Sequence, residues 1–221
     1  MNRRFEIYPE CRRGVKIVSR GSARIFDPQV SLTRGTAMPM EHPAISIRTA
    51  RSPGDAALLA RLGAATFEQA FASANTNEDM ACYLKSSFSP SIQAAQLQSP
   101  DALFLIAAID GTPGGYARLD RTEAPLCIQA ARPVELVRFY LDRAWHGRGV
   151  SHKLMEEVLR HATEREYDVI WLGVWEHNGR AVNFYRKWGF GVAGAKAFQL
   201  GSDLQTDLVM SCVLPYQITG V

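Results

Sequence analysis

A short turn in the second half of the chain has the residue types of an anion-binding loop. It consists of His146, Gly147, Arg148, Gly149, Val150 and Ser151. Between a strand and a helix, unpaired backbone N–H groups and the positive end of the helix dipole bind negative charge. Glycine lets the backbone approach a phosphate closely, and arginine adds a charge-assisted hydrogen bond. Alone, such a turn is more often a simple chain reversal than a ligand site, so the segments on either side must show whether it binds a ligand.

The familiar nucleotide-binding patterns do not fit this turn. His152 holds the place of the third glycine in the dinucleotide fingerprint, and no Gly-Lys-Ser/Thr run is present for a nucleotide triphosphate. The turn therefore stays a candidate anion site that matches neither of the usual nucleotide-binding motifs.

Hydrophobic periodicity predicts the elements that hold the turn. Residues 133–141 form a strand before it, and residues 169–174 form an apolar central strand after the next helix. That helix buries one face, made of Val150, Leu154, Met155, Val158, Leu159 and Ala162. Residues 178–188 form another helix, which Gly189 ends in the left-handed conformation.

The rest of the chain predicts a single α/β domain. Further strands are expected at residues 45–49, 103–109, 116–119, 192–198 and 207–213, and further helices at residues 56–71, after Thr76 and after Ser89. A turn at residues 110–115 joins two of these strands as a hairpin. This order of elements predicts a mixed central sheet flanked by helices.

Composition narrows the class of protein. Of 221 residues, 47% are hydrophobic and 21% are charged, which is typical of a folded domain. No apolar stretch reaches the roughly 20 residues that span a bilayer, so no membrane is expected as a partner. The four cysteines lack CxxC spacing and are expected to be free thiols in the cytoplasm. No His or Cys cluster has metal-ligand spacing, so no metal is predicted.

The character of the chain changes near residue 44. Residues 1–43 hold eight Arg and Lys against four Asp and Glu without a sustained period, and are predicted to be a poorly ordered extension. Met38 and Met40 leave open a start further along, with a functional tail or an Arg-rich targeting peptide as alternatives. The remaining 17 basic and 18 acidic residues form no basic stripe, so no nucleic acid partner is expected.

Two motifs around the turn resemble those of the GCN5-related N-acetyltransferase (GNAT) superfamily. Residues 136–154 resemble its motif A, whose loop reads Gln/Arg-x-x-Gly-x-Gly/Ala, with departures at His146 and Ser151. Residues 178–190, Asn-x-x-Ala-x-x-Phe-Tyr-x-x-x-Gly-Phe, resemble its motif B. The resemblance implies a GNAT domain over residues 44–221, with a mostly antiparallel sheet, splayed central strands and acetyl-CoA as co-substrate.

A narrower resemblance is to the PaiA-type branch, which is associated with acetylation of spermidine and spermine. It is carried by Trp-Leu-Gly-Val-Trp-Glu at residues 171–176 and Gln-Thr-Asp at residues 205–207. It implies a small-molecule amine, a polyamine, as the substrate; a homodimer is a habit of the superfamily. Two alternatives stay open: acetylation of a protein N-terminus or lysine, and acyl-CoA binding by a regulator without turnover.

The resemblance also implies which residues bind acetyl-CoA. The turn itself, from His146 to Ser151, would hold the pyrophosphate. The backbone of Phe139, Tyr140 and Leu141 would bind the pantetheine arm like an added strand, and one N–H there would stabilise the oxyanion. Asn178 would cap the following helix and contact CoA.

Proton transfer needs further groups. An amine of pKa near ~10.4 is unprotonated in about one molecule in 10³ at neutral pH, so a base is required. Glu135 stands where histone-acetylating members have their general base, and is equally interpreted as a strand-edge carboxylate in a salt bridge. Tyr185 is implied to protonate the departing thiolate while its ring packs in the helix stripe.

A polycation requires acidic or aromatic surroundings. The acidic residues available are Glu68, Glu78, Asp79, Glu176 and Asp207. Only Glu176 is retained as a candidate substrate residue, because it ends the strand beside the acyl site.

Overall fold

The alternating and periodic segments of the sequence form strands and helices close to their predicted bounds. The computed structural model describes residues 44–51 and 53–215, so the predicted extension at residues 1–43 lies outside the described residues. In chain order the elements are β1 (Ile45–Thr49), α1 (Pro53–Phe71), α2 (Asn77–Ser87), α3 (Pro90–Leu97), β2 (Leu103–Ile109), β3 (Thr112–Asp120), β4 (Pro133–Leu141), α4 (Val150–Glu164), β5 (Val169–Trp175), α5 (Gly179–Lys187), β6 (Gly191–Leu200) and β7 (Asp203–Val213).

The strands of the described region form one sheet in the order β1-β2-β3-β4-β5-β7-β6. Neighbouring strands are antiparallel except β4 and β5, which run parallel. Parallel neighbours need a crossover connection, and α4 supplies it. The predicted α/β fold with a mixed, mostly antiparallel sheet is confirmed.

The parallel pair is joined at one end only. Its register runs from Pro133 opposite Val169 to Glu135 opposite Trp171 and stops there. Beyond that point, β4 keeps β3 as its partner and β5 keeps β7. The two strands therefore splay, as the GNAT resemblance implied, and leave a gap in the middle of the sheet.

Helices cover both faces of the sheet. The apolar face of α4 is buried as predicted: Val150, Leu154, Met155, Val158, Leu159 and Ala162 are each at most 5% exposed. Alternate residues of β2 serve the two faces, since Leu103 and Leu105 join the cluster of α4, whereas Phe104 and Ile106 pack with α1. Burial of these side chains fixes α4, and the turn at its start, against the sheet.

Polar contacts set the positions of α2 and α3. The side chain of Thr76 accepts from the N–H of Asp79, and that of Ser89 accepts from the N–H of Ile92, so both predicted helix caps are confirmed. Buried Arg138 of β4 then ties these helices to the sheet. Its guanidinium donates to the backbone oxygen of Ser87 and to the side-chain oxygens of Gln93 and Gln96.

The β2–β3 hairpin is tighter than predicted. β3 begins at Thr112, so Gly114 and Gly115 belong to the strand and not to the turn. A Cβ on Gly114 would come within 2.6 Å of the Trp145 ring, and one on Gly115 within 2.7 Å of the Leu141 side chain. These glycines therefore permit close packing next to the gap.

Cysteines and long apolar helices were also considered within the described residues. Cys82, Cys127 and Cys212 are free thiols, and Cys11 lies outside the described residues. Among the helices that the structure describes, none combines the length and the apolar character needed to cross a bilayer.

Candidate active site

The gap between β4 and β5 widens into a cavity of about 610 Å³. Residues of α1 and α5 line its sides, and the turn before α4 lies at one end. The end at His146, Gly147 and Ser151 is called the loop end here. The end at Glu135, Lys196 and Asp207 is called the acidic end. All six of these residues line the cavity.

The loop end has the backbone geometry of an anion site. Gly147 and Gly149 have φ angles of 77° and 80°, in the left-handed region that glycine adopts at least cost. Gly149 is the N-cap of α4 and provides no side-chain cap. The first N–H groups of α4 therefore have no partner within the helix, and together with the helix dipole they can hold a phosphate.

The histidine of the loop end is tied to the sheet. His146 Nε2 lies 3.1 Å from the backbone oxygen of Leu141. Burial lowers the pKa of His146, while this hydrogen bond acts in the opposite direction. A neutral imidazole at this position serves to shape the turn and does not contribute a fixed positive charge.

The positive charge of the loop end comes from residues that the sequence analysis did not single out. Arg143 and Arg180 line the cavity, and the Arg143 guanidinium donates to the backbone oxygen of Gln69. Arg148 does not line the cavity; its guanidinium lies 5.1 Å from the centre of the Trp145 ring. Arg180 could have been found from the sequence, because it lies in the first turn of the helix that resembles motif B. Nothing in the sequence around Arg143 pointed to the cavity.

The unpaired edge of β4 forms one wall. Phe139, Tyr140 and Leu141 line the cavity, and beyond Glu135 no backbone pairing joins β4 to β5. A β-bulge at Val137 bends the strand just past the point of divergence. An edge of this kind offers N–H and C=O groups to an extended polar ligand, as it would to another strand.

Helix α5 contributes the predicted motif B residues. Asn178 Oδ1 accepts from the N–H of Ala181 at 3.1 Å, so its capping role is confirmed, and Asn178 also lines the cavity. Tyr185 lines the cavity and packs against Phe139, Phe184 and Phe190. Burial raises the pKa of the Tyr185 phenol well above its ordinary value. The hydroxyl therefore keeps its proton at neutral pH.

Glu135 of the acidic end is in a salt bridge. Its Oε1 lies 3.4 Å from Lys196 Nζ, and its Oε2 accepts from the Thr122 hydroxyl at 2.6 Å. The Lys196 ammonium also lies 4.9 Å from the centre of the Trp171 ring. The structure thus gives Glu135 the strand-edge salt bridge that was one of its two interpretations.

Asp207 is the second carboxylate of the acidic end. It lies opposite Lys196 in the β6–β7 register and is 9% exposed. Burial raises its pKa to about 6; Lys196 opposes this shift and Glu135 adds to it. Asp207 was not predicted as a site residue from the sequence, because most carboxylates on strands are solvated. Its burial depends on three strands that meet only in the folded sheet.

Aromatic side chains surround the acidic end. The cavity lining includes Phe71, Tyr83, Trp175 and Phe198. Tyr83 packs on Phe198 with ring centroids 5.7 Å apart, and Phe71 packs on Trp175 at 6.4 Å. Aromatic faces next to carboxylates form an environment that attracts ammonium groups.

Some predicted residues lie outside the lining. Arg148, Gly149 and Val150 belong to the turn and the first turn of α4, but do not line the cavity. Glu176 follows β5 and does not line it either; its Oε1 lies 4.0 Å from His177 Nε2. Across residues 44–51 and 53–215, no group of three His, Cys, Asp or Glu side chains is arranged to hold a metal ion.

One family model and several relatives match the sequence. The model of the Acetyltransferase (GNAT) family matches residues 70–190. An uncharacterized N-acetyltransferase of Lactobacillus delbrueckii subsp. lactis is 33% identical over 149 residues, which cover 67% of this chain and 86% of the relative. An uncharacterized N-acetyltransferase of Mycobacterium tuberculosis is 36% identical over 156 residues, which cover 71% and 96%. A "probable spermine N(1)-acetyltransferase" of Bacillus subtilis subsp. natto is 30% identical over 66 residues, which cover 29% and 43%.

The fold also matches a solved structure. The PaiA N-acetyltransferase from Thermoplasma acidophilum, in complex with coenzyme A, superposes with a TM-score of 0.63 at 22% identity. The match covers 77% of this chain and 99% of that one. At this identity the likeness concerns the fold.

Proposed function

The chain belongs to the acetyltransferase (GNAT) family and is an acetyl-CoA-dependent N-acetyltransferase, and we propose that its acceptor is the primary amine of a polyamine such as spermidine or spermine. The acidic end carries this proposal, because Glu135 and Asp207 lie there among aromatic rings. Both kinds of group attract ammonium ions. The short match to the relative named for spermine and the PaiA-type sequence motifs support the same acceptor.

We propose that acetyl-CoA binds along the cavity with its pyrophosphate at the loop end. The backbone N–H groups from Gly147 to Ser151 and the Arg180 guanidinium bind the phosphates. The edge of β4 at Phe139, Tyr140 and Leu141 binds the pantetheine arm, and Asn178 contacts it from α5. The bound co-substrate supplies a thioester whose carbonyl carbon accepts the amine.

Tyr185 is proposed as the acid of the reaction. Its buried hydroxyl holds a proton at neutral pH and donates it to the departing sulfur. In balance, the acceptor ammonium loses two protons, a C–N bond replaces the C–S bond, and one proton ends on the CoA sulfur. A carboxylate takes the first proton, and the second restores the Tyr185 hydroxyl.

Glu135 and Asp207 are the carboxylates that line the cavity within the described residues. The GNAT resemblance suggests Glu135 as the base. Its salt bridge to Lys196 distinguishes it from Asp207. Glu176 is proposed as a contact for a distant ammonium of the polyamine, because it lies outside the cavity next to the backbone of Thr206 and its side chain is 42% exposed.

Thiol release from acetyl-CoA tests the proposal. The protein is incubated with acetyl-CoA and a panel of spermidine, spermine, simple monoamines, and peptides with free N-termini or lysines. Thiol release with the polyamines and none with peptides is the expected result. Release with peptides alone would favour a protein N-acetyltransferase. Acetyl-CoA binding by calorimetry without release for any amine would favour a regulator that binds acyl-CoA without turnover.

A further inference from the structure

Lys196 and Glu135 are held together by several contacts at the acidic end. Lys196 Nζ lies 3.4 Å from Glu135 Oε1 and 4.9 Å from the centre of the Trp171 ring. The other oxygen of Glu135 accepts from Thr122 at 2.6 Å. Both oxygens of Glu135 thus have a partner. An acceptor ammonium would therefore have to compete with Lys196 and Thr122 for Glu135.

Asp207 has no such partners. In the part of the chain that the structure describes, neither of its carboxylate oxygens accepts a hydrogen bond or lies in an ion pair, although the residue is 9% exposed and lines the cavity. Its Oδ2 and Lys196 Nζ both approach the Cα of Gly173, where a Cβ would lie 3.0 and 3.2 Å from them. A carboxylate that faces the cavity without a protein partner is available to pair with the ammonium group of a bound ligand.

We propose that Asp207 is the carboxylate that binds the acceptor ammonium and removes its first proton, while Lys196 neutralises Glu135 as a fixed wall of the site. This inference rests on the proposed acetyl transfer to an amine. The proton moves from the acceptor nitrogen to Asp207 and leaves the lone pair that forms the C–N bond as the C–S bond breaks. Asp207 then returns the proton to solvent.

The surroundings of Asp207 make its charge dependent on pH. The charged and titratable groups that face it are Lys196 from β6, Glu135 from β4 and Tyr83 from α2. Its pKa, raised to about 6 by burial, makes Asp207 ionised at neutral pH and protonated in mild acid. Activity is therefore expected to fall as pH falls through this region.

The test compares the pH dependence of kcat/KM in wild type and variants, with the amine that gives the fastest thiol release. The acid limb is the part of the pH profile in which kcat/KM of the wild type falls as the pH falls. Asp207→Asn is expected to lower kcat/KM by about 10² to 10⁴ and to abolish this limb. Lys196→Met removes the charge that lowers the pKa of Asp207, so the limb moves to higher pH. Glu135→Gln removes a charge that raises it, so the limb moves to lower pH.

A matched control uses the same chemical change on the same strand. Asp203→Asn alters an exposed carboxylate outside the cavity lining, and its kcat/KM is expected to equal that of wild type. Acetyl-CoA binding by calorimetry checks that Asp207→Asn has folded. If that variant does not fold, the shifts of the limb in Lys196→Met and Glu135→Gln decide the question.

The outcomes separate the inference from the proposed function. Full activity of Asp207→Asn, or an acid limb that stays in place in both Lys196→Met and Glu135→Gln, overturns the role of Asp207 while the acetyl transfer stands. Absence of thiol release by wild type with every amine overturns the proposed function. Release with another amine but not with polyamines overturns the polyamine alone, and the test of Asp207 then proceeds with that amine.

Discussion

Burial changes the acid–base chemistry of single residues in this cavity. It raises the pKa values of Tyr185 and Asp207 and lowers that of His146. Charged forms lose solvation when they are buried, so each group is shifted toward its neutral form. Tyr185 therefore retains a proton to donate, whereas Asp207 remains ionised at neutral pH because its pKa is about 6.

Tyr185→Phe separates the proton donor from the packing residue. The ring still packs against Phe139, Phe184 and Phe190, so thermal stability and the Kd for acetyl-CoA should change little. Loss of a general acid should lower kcat by about 10² or more. Steady-state kinetics and calorimetry measure the two quantities. An unchanged kcat would assign Tyr185 to packing alone.

Among the elements, the turn before α4 combines a left-handed backbone with the phosphate site that we propose. Gly149 has a φ of 80° and ends the turn as the N-cap of α4. Its position is therefore set by two requirements, the left-handed backbone and the free N–H groups that follow. Since the buried face of α4 fixes the helix, the turn has little freedom to adapt to a substitution.

Gly149→Ala tests this link. A left-handed conformation costs a residue with a Cβ roughly 1–2 kcal/mol. The variant should be less stable by that amount or should relax the turn, and relaxation would weaken acetyl-CoA binding by about tenfold. Gly191→Ala is the control, because a Cβ there meets no atom within 4 Å and its φ is not positive. Equal effects of the two changes on melting temperature and Kd would contradict the prediction.

The contact between α2 and the β6–β7 hairpin depends on an ionised carboxylate. Asp79 accepts from the N–H of Ser202 at 2.5 Å and from the Thr76 hydroxyl at 2.8 Å. These hydrogen bonds, the one from Ser202 first, lower the pKa of Asp79. A lowered pKa in the folded state stabilises the fold above the unfolded pKa, and this stabilisation is lost as pH falls through the folded value.

Asp79→Asn should therefore lose stability at neutral pH and less in acid. The measurement is the free energy of unfolding in urea at several pH values for both proteins. The difference between wild type and variant is expected to be constant near pH 7 and to shrink below the ordinary pKa of aspartate. A difference that does not depend on pH would contradict the prediction, because it would mean that folding leaves the pKa of Asp79 unchanged.

In the molecule as a whole, the cavity forms because β4 stays paired with β3 and β5 stays paired with β7, whereas β4 and β5 stop pairing with each other beyond Glu135. β3 and β7 hold the two strands, and α4 bridges from one strand to the other across the sheet. The core under α4 therefore supports both the sheet and the loop end. We therefore predict that stability and acetyl-CoA binding are coupled through these buried side chains.

Leu154→Ala tests the coupling. Leu154 is fully buried, and its truncation should destabilise the fold by about 2–5 kcal/mol. If α4 shifts to fill the space, the loop end moves and the Kd for acetyl-CoA rises. Glu156→Ala, an exposed change on the same helix, should alter neither quantity. Urea unfolding and calorimetry provide the two measurements, and equal stability of the two variants would contradict the role of the core.

Local sequence patterns were enough to predict the helices, the strands and part of the loop end. Periodicity placed the buried face of α4 and the β4 strand, because burial on one side leaves a repeating pattern in the chain. Local chemistry predicted the caps at Thr76 and Ser89, since each involves neighbouring residues only. The resemblance to motif A and motif B implied the fold and pointed to His146, Asn178 and Tyr185, and all three line the cavity.

The acidic end could not be predicted from local patterns, because it forms where distant strands meet. Glu135, Lys196 and Asp207 lie on β4, β6 and β7, and no spacing in the sequence relates them. The salt bridge of Glu135 and the burial of Asp207 both arise from strands that are distant in the chain and adjacent in the sheet. Surroundings shift the pKa of a carboxylate from its ordinary value, so the residue that we propose as the base could be identified only from the assembled strands.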